Sequence, residues 1–146
     1  MAKKNNARTI IGLQLKVKSL IEQENKIGKV LSSSIIASRD TRTCGILSEG
    51  LKYFTQKDAG GNLVTIRVGH MLDSVELVLE ELSSFNSRLS VQRPQVFIRS
   101  SDGEVIETVT TNVADHIMLQ GTLDSGAPLS TLFRQGPPFK DTSGFI

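Results

Sequence analysis

The sequence predicts an α+β domain, with helices packed on one face of a largely antiparallel open sheet. Three observations predict it. Helical periodicity runs through the middle of the chain, where Leu63, Ile66, Leu72, Val75, Leu79 and Leu82 trace one stripe. After Ser83-Ser84-Phe85-Asn86 the period falls to two. The second half is then punctuated by turn signals at Asp102-Gly103 and Asp124-Ser125-Gly126.

Lys3 to Asn6 are polar and read as the frayed end of a helix. Residues 8–14 form a short apolar run consistent with a buried strand. From Leu15 the period changes. Leu15, Val17, Leu20 and Ile21 interleave with Lys16, Lys18 and Glu22, a short amphipathic helix ending near Asn25-Lys26. Ile27-Gly28-Lys29 makes a turn, and residues 30–37, rich in β-branched and small side chains, read as a strand. Residues 38–61 are a long polar excursion holding Gly45, Gly50, Gly60 and Gly61. Gly60-Gly61 permits a sharp turn into the main helix, and Asn62 is placed to cap it.

Beyond the main helix, Leu89 and Val91 begin a strand and Pro94 marks a bulge or an edge. Val96-Phe97-Ile98 leads into the Asp102-Gly103 turn, and residues 105–110 alternate on its far side. Residues 116–123 continue the alternation, with Ile117, Leu119 and Leu123 on one side. Residues 128–134 complete a four-stranded meander, and the tail from Gln135 is expected to be irregular.

Composition excludes several functions. The chain has 146 residues, about one domain, and 17 Lys and Arg against 15 Asp and Glu leave a net charge of +2. That balance argues neither for nucleic acid nor for an anionic membrane. Aromatic residues are 5% of the chain, with no Trp, too few for a base-stacking platform. No apolar run is long enough to span a bilayer. The single Cys44 excludes an internal disulfide and fits a reducing compartment, cytoplasm or nucleus. In its polar loop, near Arg39 and Arg42, Cys44 reads as an inert thiol.

Motif inspection removes more. No two of the 12 glycines flank a single residue as Gly-x-Gly, so the dinucleotide fingerprint is absent. Gly28-Lys29 lacks the upstream Gly and the following Ser or Thr of a phosphate-binding loop. His70, His116 and Cys44 are too scattered for a structural zinc site, and no Gly-x-Ser-x-Gly elbow occurs. Asp115-His116 reads as a solvated Asp beside a sheet-face His, since neighbours on a strand point to opposite faces.

The order of certain segments is informative. Thr9-Ile10-Ile11-Gly12-Leu13-Gln14 is followed by Leu20-Ile21-Glu22-Gln23 and Ile27-Gly28-Lys29-Val30. Gly60-Gly61-Asn62-Leu63 and Gly69-His70-Met71-Leu72-Asp73 come next. This order resembles the Gfo/Idh/MocA oxidoreductase family, in which a Rossmann domain precedes a C-terminal α+β domain with an open sheet. The stretch Ala114-Asp115-His116-Ile117-Met118-Leu119-Gln120-Gly121-Thr122-Leu123 looks most like the branch of fungal galactose-regulon repressors.

The resemblance carries its own expectations. Residues 1–14 resemble the last strand of a missing Rossmann domain, and residues 15–146 a partial C-terminal domain. NAD(P) is implied for the full-length family, whereas no residue of this chain is assigned to a cofactor or a metal. His70 falls where catalytic relatives present an imidazole to the substrate hydroxyl. Those relatives place an Asp four residues earlier, where this chain has Ile66. That replacement is similar to the repressor branch, which has lost catalysis.

Two functions therefore stand. The first is a non-catalytic, repressor-like domain acting through protein–protein contact. The second is the substrate-binding or oligomerisation part of an NAD(P)-dependent oxidoreductase acting on a sugar, polyol or related hydroxy compound. In the family the exposed sheet face commonly packs against another subunit. Here Ile117, Leu119, Leu123, Leu129 and Phe133 are expected to supply that apolar face, for self-association or another protein.

Overall fold

The computed structural model describes residues 8–39 and 45–136. It is α+β, with helices against one face of an open sheet and a second, smaller sheet beside it. The first element is a helix, α1 (Arg8–Glu22), and not the strand expected over residues 8–14. Gln14, Lys18 and Ile21, three to four residues apart, are half-buried at helical spacing. The Lys18–Glu22 ion pair, 3.5 Å apart and four residues along, lies on the same helix. The chain then enters β1 (Ser33–Arg39).

The polar excursion is ordered where it is described. It holds a short strand, β2 (Ile46–Ser48), and two 3₁₀ turns, Glu49–Thr55 and Lys57–Ala59. Gly60 ends the second turn in the left-handed region at φ 76°, a conformation open to glycine at little cost. Cys44, Lys3 to Asn6 and the tail from residue 137 lie outside the described residues.

Asn62 caps the main helix. Its side-chain oxygen accepts from the backbone N–H groups of Val64 and Thr65 at 2.9 and 3.2 Å, and the Thr65 hydroxyl accepts from the Asn62 N–H at 3.2 Å. The first turns, Leu63–Val68, are π-helical, and the Gly69 N–H donates to Val64 O five residues back. From there α2 (Gly69–Val78) is regular. It stops four residues short of the expected Leu82, which instead opens β3 (Leu82–Ser90).

β4 (Gln95–Arg99) and β5 (Val105–Thr110) form the expected hairpin, its turn closed at Gly103 with φ 87°. β6 (His116–Leu123) and β7 (Pro128–Gln135) form another, turning at Gly126 with φ 85°. The two hairpins do not make one meander. β1, β7, β6 and β3 form a four-stranded sheet in that order, and β2, β4 and β5 a three-stranded one. Two pairings, β1 with β7 and β2 with β4, are parallel, and the other three are antiparallel. The chain changes sheets between Thr110 and His116.

The core lies between α2 and the larger sheet. Val68 and Val75, joined by Met71, pack on Ala37, Ile117, Leu123, Leu129 and Phe133. This corrects the expected interface. Ile117, Leu119, Leu123, Leu129 and Phe133 are all buried, between 1% and 7% exposed, and α2 and the turn before it pack on Ile117, Leu123, Leu129 and Phe133. The opposite face carries Met118, 56% exposed, flanked by exposed Gln120 and Ser130 and half-buried Ile36 and Leu132. No helix among the described residues is long and apolar enough to cross a membrane.

Candidate functional site

A hollow of about 310 Å³ opens where the smaller sheet, the π-helical turn and the ends of β6 and β7 meet. Three tertiary ties build it. The buried Thr55 closes its own 3₁₀ turn by donating to Lys52 O at 2.8 Å. Its carbonyl accepts from the Thr111 hydroxyl at 2.8 Å and the Asn112 N–H at 3.2 Å. The Asn112 side chain in turn accepts from the Lys57 N–H at 2.7 Å. The segment linking the two sheets is thereby fastened to the polar excursion.

Asp115 is the second fastening point. It is only 6% exposed. Its Oδ1 accepts from the Gln92 N–H and its Oδ2 from the Arg93 N–H, both at 2.8 Å. His116 Nδ1 lies 2.9 Å from Oδ1. Burial pushes this carboxyl up, but the Gln92 donor, the imidazole and the Arg93 donor outweigh it and hold the group below its ordinary value. The carboxylate is thus ionised at neutral pH, and His116 carries its proton on Nδ1 to donate to it. The solvated Asp and separate His expected from strand alternation are, in the structure, a buried and bonded pair. Asp115 stands one residue before β6 begins, where alternation does not yet apply.

The walls are mixed. Leu51, Phe54 and Val96 make the apolar side, and Arg67, Arg93 and Asp115 the polar one. Arg93 Nη1 donates to Gln135 O at 3.2 Å, which ties the loop after β3 to the end of β7. Ile66 also lines the hollow. His70 does not: it is exposed on the first turn of α2, where its carbonyl accepts from the Ser74 hydroxyl at 2.9 Å. The residues that do converge, Thr55, Arg67, Arg93 and Asp115, come from four separate segments. No spacing motif could have revealed them. Among the described residues no cluster of His, Cys, Asp and Glu is suited to a metal ion.

Comparison with known proteins gives a consistent result. The family model described as "Gal80p, C-terminal domain" matches residues 13–146. The galactose/lactose metabolism regulatory protein GAL80 of Saccharomyces cerevisiae is 30% identical over 155 residues, covering 95% of this chain and 34% of that protein. Its counterpart in Kluyveromyces lactis is 28% identical, covering 92% and 32%. Dehydrogenase aclE of Aspergillus oryzae is 22% identical, covering 94% and 39%. Among solved structures, a super-repressor mutant of Gal80p from Saccharomyces cerevisiae superposes with a TM-score of 0.75 at 26% identity, over 90% of this chain and 35% of that one. Levoglucosan dehydrogenase in its apo form shares the fold, with a TM-score of 0.67 at 20% identity over 83% and 32%. The chain spans about a third of the length of the curated relatives it matches.

Proposed function

Because the chain belongs to the Gal80p C-terminal-domain family, we propose that it is a non-catalytic, regulator-type domain that acts by binding protein, in the cytoplasm or nucleus. One observation carries this reading. The wall of the hollow holds Ile66, where the family resemblance leads to the expectation of an acid, and His70 stands outside it in solvent. Ile66 can neither take up a proton nor orient a hydroxyl. Among the described residues the one carboxylate at the hollow, Asp115, has its oxygens committed to two backbone donors and an imidazole.

The surface for such contact is the outward face of the larger sheet, along the row Ile36, Leu132 and Met118 on β1, β7 and β6. On the opposite face, α2 packs against β1, β6 and β7. A second copy of the chain is the partner to test first, since a sheet face of this kind is self-complementary about a two-fold axis. Sedimentation velocity of the purified chain should show a concentration-dependent dimer at tens of micromolar. Met118→Glu should abolish it while leaving the circular-dichroism melt unchanged, and NAD or NADP should have no effect. A monomer throughout would sink the interaction reading. The rival reading, the substrate-binding part of an NAD(P)-dependent sugar or polyol dehydrogenase, is favoured by the likeness to dehydrogenase aclE and levoglucosan dehydrogenase. A cofactor-dependent shift in the same experiment would move it to first place.

A further inference from the structure

We propose that the hollow beneath Leu51 and Phe54 binds a small, neutral carbonyl compound with an apolar body, held by the side-chain amide of Asn62. At about 310 Å³ the space falls at the lower end of small-molecule sites and accommodates a ligand of about ten non-hydrogen atoms. Most polar side chains on its wall are already committed within the chain. The Asp115 carboxylate accepts from two backbone N–H groups and an imidazole. Arg67 and Arg93 are both engaged, Arg93 with Gln135 O among its partners. The Thr55 hydroxyl donates to Lys52 O, and the Thr111 hydroxyl to Thr55 O. A charged ligand would have to compete for groups that are already paired, and would lose its own hydration in doing so.

Asn62 differs. It is only 5% exposed, and it borders the hollow. Its Oδ1 is spent on the Val64 and Thr65 N–H groups, which fixes the orientation of the amide. The two Nδ2 hydrogens are left without a partner among the described residues. Nδ2 is not sealed off: among the described residues the one buried side-chain polar atom closed away without a partner is Gln14 Oε1. A buried donor that faces open space calls for an acceptor. A carbonyl oxygen supplies one without bringing a charge, and Leu51, Phe54 and Val96 give the rest of the molecule an apolar seat. A sugar would set its hydroxyls against those carbons and lose their hydrogen bonds to water. Met118 does not border the hollow, so the site stands whether or not the chain dimerises through its sheet.

Amide proton–nitrogen correlation spectra of the isotope-labelled full chain test this, with acetophenone, ethylbenzene and benzoate as probes. Acetophenone should shift the Asn62 side-chain amide pair in a saturable, one-to-one titration. Ethylbenzene keeps the body and lacks the acceptor. It should bind about five- to tenfold weaker, the worth of one hydrogen bond, and leave that pair in place. Benzoate, which carries a charge, should bind no better than ethylbenzene. Asn62→Asp keeps the capping oxygen and removes the donor. Followed through the Val96 and Thr111 backbone amides, it should bring acetophenone down to the ethylbenzene level with an unchanged melt. Leu51→Trp, at a position 41% exposed where a larger ring can fill the hollow from its rim, should abolish binding of both neutral probes. Equal affinity for acetophenone and ethylbenzene would overturn the proposal. So would benzoate as the tightest probe, undiminished acetophenone binding after either substitution, or no saturable shift at millimolar concentration.

Discussion

Three donors converge on the Asp115 carboxylate, two of them backbone N–H groups and the third the His116 imidazole. A buried acceptor so matched is worth most where it is charged, and its lowered pKa fixes the sign of the pH dependence. The folded value lies below the unfolded one of about 3.9. The contribution is therefore present above about pH 4 and is lost as pH falls through the folded value. Asp115→Asn keeps one acceptor but turns an amide N–H₂ toward a backbone donor, which leaves that donor unsatisfied. Urea unfolding at pH 7 should show a loss of about 1–3 kcal/mol with the same denaturant slope. The difference from the parent should shrink below pH 4, and a difference independent of pH would refute the charge as its source. This residue was legible as a candidate only through its neighbour. The alternation rule placed Asp115 and His116 on opposite faces, although Asp115 precedes the strand and alternation does not reach it.

Between β3 and β6 the spacing is set by one missing side chain. A Cβ on Gly121 would lie 2.5 Å from the Ser84 carbonyl oxygen and 2.8 Å from Leu82 Cδ2, beside the register shift at Leu82 and Ser84. The carbonyl is backbone and cannot swing aside, so Gly121→Ala must push β3 away from the sheet. A cost of about 1–3 kcal/mol is expected, read as a lower melting temperature with amide exchange accelerated along β3 ahead of β7. Unchanged exchange on β3 would show that the strand absorbs the methyl group. The elements differ in how openly the sequence announces them. The β4–β5 and β6–β7 hairpins carry Gly at the turn position that needs positive φ, and Asn62 caps the main helix, so local chemistry sufficed there. β3 was illegible as a strand over its first half, because it is an edge exposed along both faces and shows no alternation. The N-terminal run misled for the opposite reason: consecutive apolar residues fit a buried strand as well as one side of a helix, and length arbitrates poorly.

At the scale of the whole molecule, fold class was readable and topology was not. Amphipathic period and turn spacing report what each segment buries, but a parallel pairing such as β1 with β7 leaves no local mark. The expected meander failed at residues 111–115, where Thr111 and Asn112 bond to the Thr55 carbonyl and draw the chain off one sheet before β6 starts the next. The hollow inherits this difficulty, since its wall exists only once both sheets and the π-helical turn have met. The pairing that closes the larger sheet also has a consequence in time. Ser34 and Ser130, joined at 2.9 Å across β1 and β7, are 96 residues apart. During synthesis at 5–20 residues per second, β1 waits roughly 5–20 s for β7, its neighbour among the described residues. Pulse-labelled hydrogen exchange during refolding should accordingly find α2 amides protected before those of β1, and simultaneous protection would contradict that order. Throughout that interval the nascent chain carries an unpaired strand edge, so the ribosome-bound stage is when this protein has most need of a chaperone.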